Sequence, residues 1–191
     1  MDGQKGGMMK QAAALLFEAK ILKNIPRAGF HFLGVGKESV AEHSFCATFI
    51  AYVMANMVPE CDALKLISMC LVHDLPEART GDHNYVQKKY VTIDEDRAVA
   101  DATRNLPFGA KLADLITEFN EKKTYESKLA HDADQLSFLL DLKSVSDIGN
   151  NSPDQWLPVV HKRLKTEIGK RLALEILSTR WDAWWMDEYE E

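Results

Sequence analysis

An all-α fold is the class that this 191-residue sequence predicts, on three observations. Apolar residues recur at three- and four-residue spacing nearly everywhere, as one buried helix face demands. Convincing strand-type alternation is absent, and turn signals stand too far apart for a sandwich of short strands. The length suits one sizeable core, so a single domain over residues 1–191 is expected.

The composition is that of an ordinary globular chain, 46% hydrophobic and 27% charged, which argues against disorder or a disulfide scaffold. Cys46, Cys61 and Cys70 form no CxxC pair, and with no secretory h-region in the opening "MDGQKGGMMKQAAALLFEAK" the expectation is reduced thiols in a cytoplasmic protein. No apolar run approaches the roughly 20 residues of a membrane span. The net charge of −6 disfavours a nucleic-acid polymer as partner. An anionic substrate must therefore meet a local cluster of base or metal.

A first helix is predicted over about Met9 to Lys23, followed by the loop "NIPRAGFHFLGVGKE" with its Pro and glycines. Ser39 and Glu42 form a capping box for a helix to about Met57. Asp62 suits the N-cap of a third helix, which ends near Leu75 because Pro76 disfavours helical geometry before it. Thr92 with Glu95 reads as a second capping box for a helix to about Asn105, and "LPFGAKLADLITEF" as a turn into another. A long helix follows from Tyr125 to about Ile148. Ser152 and Pro153 suit the N-cap and N1 of a last helical region, about 152–188, which carries Trp181, Trp184 and Trp185.

Polar residues interrupt these apolar faces. His43 shares a stripe with Cys46, Ala47, Ile50 and Met54, although one inward His is commonly a hydrogen-bonded core residue. His73 and Asp74, in "LVHDLPEARTGD", follow the apolar run "CDALKLISMC". A carboxylate there must be paired, protonated or bound to a cation, since leaving it alone costs several kcal/mol. Imidazole and carboxylate together suit a divalent transition metal. On the long helix Asp132 and Asp134 flank the stripe Leu129, Ala133, Leu136 and Leu140 symmetrically, so periodicity does not choose between them.

His43 in "ESVAEHS", His73 and Asp74 in "LVHDLPEARTGD", and Asp134 in "HDADQL" resemble, in order and helical context, the H, HD, D signature of the HD-domain metal-dependent phosphohydrolases. Within that superfamily the chain is similar to the small HD hydrolases that include bacterial 5′-deoxynucleotidases, whose Arg-bearing loop precedes the first His, here "IPRAGF". The resemblance implies a single HD-domain helical bundle around a central metal site, with its core at about 27–148. It implies His43, His73, Asp74 and Asp134 as ligands, choosing Asp134 over Asp132, for a divalent ion that is Mn, Co, Ni, Fe, Zn or Mg.

Phosphomonoester hydrolysis needs a hydroxide at neutral pH, neutralised phosphoryl charge and a proton for the leaving group. The likeness gives Glu77, just past Pro76, a catalytic role in orienting water or exchanging protons with it. It places Asp82 near the substrate sugar or leaving group. Arg27 suits a phosphate clamp and Lys88 an added point charge. Phe30, expected among the substrate-binding residues, stands where many relatives carry Trp, a departure that bears on how the nucleoside is stacked. Glu126, on the core side of the long helix, is expected to brace Arg27 or a ligand His. The three tryptophans read as packing first and a subunit contact second, and the family's habit adds a homodimer. The expected activity is removal of the 5′-phosphate of (deoxy)nucleoside monophosphates. Competing readings are hydrolysis of a triphosphate or an alarmone, and a noncatalytic metal-stabilised interaction module.

Overall fold

Helices α3 (Val40–Met57), α4 (Ala63–Val72) and α8 (Tyr125–Asp147) pack on one another and enclose the main core. The computed structural model describes residues 2–189. In chain order the other helices are α1 (Asp2–Ile21), α2 (Phe30–Leu33), α5 (Glu77–Thr80), α6 (Glu95–Thr103), α7 (Gly109–Glu121), α9 (Leu157–Arg163), α10 (Glu167–Ser178) and α11 (Ala183–Met186). No strand occurs among the described residues, so the all-α prediction holds; Pro26 and Ser39 form an isolated antiparallel bridge.

The core follows from the apolar stripes. Ala47, Ile50 and Met54 of α3 meet Leu66, Met69 and Cys70 of α4 and Leu129, Ala133, Leu136 and Leu139 of α8. Helix α8 carries buried residues around much of its circumference, because α3, α4, α7, α9 and α10 all cover it. A smaller cluster of Leu22, Val40, Leu75 and Leu112 seats α1 against the start of α3 and the Pro76 corner. The Arg79 and Glu18 side chains reinforce that seat, Nη2 standing 2.8 Å from Oε2.

Caps decide where helices begin. The Ser39 hydroxyl accepts from Glu42 N at 3.2 Å while Ser39 N donates to Glu42 Oε2 at 2.7 Å, completing the expected box. Asp62 caps α4 as expected, accepting from Lys65 N at 3.0 Å. The Thr92 and Glu95 box does not form: Asp94 caps α6 instead, accepting from Arg97 N at 3.1 Å. Asp is the stronger capping residue, and it stands next to the first helical position. Helix α1 begins earlier than expected, at Asp2.

The last helical region is divided where one was expected. A 3₁₀ turn, Ser152–Gln155, leads into α9, and the chain then leaves helical geometry at Leu164. The cause is Asp132, fully buried on α8, whose carboxylate accepts from Lys165 N and Thr166 N at 2.7 Å each and from Thr166 Oγ1 at 2.6 Å. Thr166 in turn caps α10 through Gly169 N at 3.0 Å. The tryptophans are surface residues more than packing ones, with Trp184 78% exposed. No described helix is long and apolar enough to cross a membrane.

Candidate metal centre

Backbone hydrogen bonds bring the Arg27 segment to the head of α3: Arg27 N donates to Glu38 O and Val40 N to Ile25 O, both at 2.9 Å. The capped first turn of α3 holds His43 inward with no exposed surface. His73 ends α4 and Asp74 follows it, while Asp134 projects from the middle of α8.

These segments converge. His43 Nε2 lies 2.9 Å from Asp134 Oδ1 and 3.8 Å from Asp74 Oδ2, and His73 Nε2 lies 3.2 Å from Asp74 Oδ2. One ligand atom from each of His43, His73 and Asp134 falls within 4.8 Å of the other two. His73 Nδ1 donates to the Cys70 carbonyl at 2.8 Å, which directs Nε2 of that ring into the cluster. Asp132 and Asp134, equivalent by periodicity, face different ways: one caps α10 and the other meets His43.

Charge is crowded here. Burial disfavours ionised Asp134, yet its hydrogen bond and attraction to His43, with His73 and Arg27 nearby, hold it below the usual carboxylate range. Burial likewise opposes a charged His73, but Asp74 and Asp134 push it up to about 9. His43 is lowered by burial and by the Arg27 charge. His73 Nε2, Asp74 Oδ2 and Glu77 Oε2 are buried with no hydrogen-bond partner. Orphaned imidazole nitrogen and carboxylate oxygens facing a common point fit a divalent cation.

The remaining site residues border this point. Glu77 opens α5, and burial, then the Asp74 and Asp82 charges, push its pKa up to about 9. Arg27 Nη1 reaches Asp74 Oδ2 at 3.7 Å and Asp82 Oδ2 at 3.9 Å. Asp82 Oδ2 also accepts from Ala28 N at 2.7 Å, tying the loop after Gly81 to the Arg27 segment. A cavity of about 210 Å³ opens beside His73, Asp74, Glu77, His83, Lys88 and Asn120, so Lys88 stands on its wall.

Phe30 and Glu126, two further expected residues, meet other neighbours as well. The Phe30 ring packs on the main core, and its edge lies 3.1 Å from where a Cβ on Gly36 would sit, so Gly36 is needed for that close approach. Glu126 does not reach Arg27; its Oε1 accepts from Asp62 N at 3.2 Å, since it sits in the first turn of α8, two turns before Asp134.

Two residues were missed from sequence. Glu38 Oε2 lies 3.7 Å from Arg27 Nε and 4.0 Å from His43 Nδ1, a nitrogen without a hydrogen-bond partner. Burial, then the nearby Asp141, pushes the Glu38 pKa up to about 8. Burial also raises Asp141 to about 6, and its buried Oδ2 has no partner. The available signals were slight: Glu38 directly precedes a capping Ser, and Asp141 lies two turns beyond Asp134 on the same helix.

Comparison with known proteins places this geometry. An HD-domain family profile matches residues 19–176. The chain belongs to the HD-domain family. Over 131 residues it is 30% identical to the 5′-deoxynucleotidase HDDC2 of Dictyostelium discoideum, covering 62% of this HD-domain chain and 69% of that protein. Among solved structures, a conserved hypothetical protein from Pyrococcus furiosus superposes with a TM-score of 0.72 at 27% identity, covering 87% of this chain and 99% of its own. A protein from Pyrococcus horikoshii matches equally well, with TM-score 0.72, 27% identity and coverage of 87% and 98%. A predicted metal-dependent phosphohydrolase of Magnetospirillum magnetotacticum shares the HD-domain fold at TM-score 0.69 and 22% identity, over 90% of this chain and 94% of that one.

Proposed function

We propose that this HD-domain protein removes the 5′-phosphate from nucleoside monophosphates, deoxynucleotides included. The carrying observation is the set of buried, partnerless acceptors on His73, Asp74 and Glu77, gathered beside the Arg27 guanidinium. The activity named for the Dictyostelium relative supports the substrate class.

In this reading His43, His73, Asp74 and Asp134 hold the ion. When bound, a divalent cation neutralises phosphoryl charge and makes water acidic enough to attack at neutral pH. Arg27, kept cationic by the carboxylates around it, offers two parallel donors to phosphate oxygens. Glu77 orients the attacking water through Oε2, and a cation bound beside it would offset the burial and the Asp74 and Asp82 charges that keep it protonated, so that it can exchange a proton with that water. Asp82, fixed by Ala28 N, faces the sugar and leaving oxygen, and Lys88 adds charge from the cavity wall. The compact 191-residue chain has few spare segments for enclosing a triphosphate, which favours the monophosphate. Three free thiols suit the cytoplasm as the place of reaction, and the exposed Trp184 suits a homodimer contact.

Phosphate release from a nucleotide panel, with each divalent ion supplied in turn, tests the reading. Turnover of 5′-monophosphates with one or more ions is expected. No release with any ion would remove the proposal, and released pyrophosphate or triphosphate would redirect it to a longer phosphate chain.

A further inference from the structure

Four aromatic rings meet on chain segments next to those that carry the candidate metal centre. Phe32 of α2 and Tyr85, in the loop after Asp82, have centroids 5.2 Å apart. Trp156, at the head of α9, lies 6.4 Å from each, and Phe138 of α8 stands edge-on to Trp156 at 6.0 Å. Phe138 and Trp156 are packed against the main core and form a fixed wall. Phe32 and Tyr85, by contrast, are 39% and 58% exposed, so these two rings keep faces open to solvent.

Their location links them to the chemistry. Phe138 follows Asp134 by one turn of α8, about 6 Å along the axis. Tyr85 comes three residues after Asp82, and the bond from Ala28 N to Asp82 Oδ2 fastens its loop to the segment that carries Phe32. Phe138 and Tyr85 thus stand on the same chain segments as the Asp134 and Asp82 carboxylates. Phe30, expected among the substrate-binding residues, is half-buried against the core.

We propose that Phe32, Tyr85 and Trp156 form the subsite for the heteroaromatic base of the substrate, with Phe32 and Tyr85 as specificity-determining residues. This rests on the nucleotidase reading above. A base offers a flat π face to any aromatic ring, and stacking tolerates many bases while rewarding a larger overlap. Purine monophosphates are therefore favoured over pyrimidine ones. A base-free sugar phosphate would leave the rings unused.

The test compares kcat/KM for a purine 5′-monophosphate, a pyrimidine 5′-monophosphate and 2-deoxyribose 5-phosphate, in the wild type and in Phe32→Leu and Tyr85→Leu. Leu keeps apolar bulk at these exposed positions and removes the π face, together with the hydroxyl at Tyr85. The ratio of nucleotide to sugar-phosphate kcat/KM should fall roughly tenfold for each ring lost, mostly through KM, and the purine preference should narrow. Equal losses on all three substrates, or no change in the ratios, overturn the base subsite while leaving the nucleotidase reading intact. A wild type that hydrolyses 2-deoxyribose 5-phosphate but neither nucleotide overturns both.

Discussion

His43 Nε2 and Asp134 Oδ1 stand 2.9 Å apart although 91 residues of chain separate them. The contact joins the first turn of α3 to the middle of α8 inside the apolar interior. Without a cation it places an imidazole against a carboxylate that has His73 and Asp74 as further neighbours.

His43→Ala and Asp134→Ala should each abolish stabilisation by divalent metal. In the wild type an ion at about a hundred times its Kd adds roughly 2.7 kcal/mol, or about 5–10 °C in Tm for a chain of this size. Chelation should return the wild-type Tm to its metal-free value. Calorimetric melting with and without the ion checks both, and a full metal shift in either variant would exclude that ligand.

Glu77→Gln should lower turnover by about 10²-fold or more and yet stabilise the metal-free protein. The folded-state pKa, about 9, lies above the ordinary glutamate value of 4.5, so the folded form retains a proton that the unfolded chain releases. The resulting stability is full below pH 4.5 and is lost as pH rises toward 9. Gln has no such loss. The Tm advantage of the variant should therefore widen between pH 5 and pH 9, and a constant difference across that range would contradict the placement of this carboxyl.

Glu38→Gln should weaken metal binding, because Glu38 Oε2 stands 4.0 Å from the partnerless His43 Nδ1 and is the polar group placed to settle that ring once an ion engages Nε2. Titration calorimetry on the metal-free variant reads this directly. Unchanged affinity would reduce Glu38 to a partner of Arg27 alone.

Gly169→Ala pits two effects against each other. Ala gains about 1 kcal/mol of helix propensity over Gly. The added Cβ, however, would lie 2.3 Å from Asp132 Oδ2 and 2.8 Å from its Cγ, which forces apart the Asp132 and Thr166 network. Overpacking of this kind costs about 1–3 kcal/mol, so a net loss is expected on denaturant melting. Asp132→Ala should cost about 3 kcal/mol or more by stripping three donors of their buried acceptor.

The main helices and several caps were legible because their causes are local. Ser39 with Glu42 and Asp62 before an apolar stripe act over a single turn, and α3 ends at Met57 as its pattern predicts. Thr92 misled because Asp94 competes two residues later. The break before α10 was not legible, since its cause is a carboxylate 33 residues away. Periodicity likewise could not separate Asp132 from Asp134, which differ only in what packs opposite each. Glu38 and Asp141 escaped for a related reason: their burial is set by the Arg27 segment and α3 together. Phe30 and Glu126 carried suitable chemistry, but neighbours elsewhere in the chain had already engaged them.

Asp132 and Asp134 are about 3 Å apart along the axis of α8 and pull in different directions, one on the backbone ahead of α10 and the other on His43. A twist of α8 that eases one grip strains the other. One turn of α8 therefore carries both the anchor of the C-terminal helices and a residue of the candidate metal centre, so cutting the chain ahead of α10 removes the load that Asp132 bears two residues from Asp134.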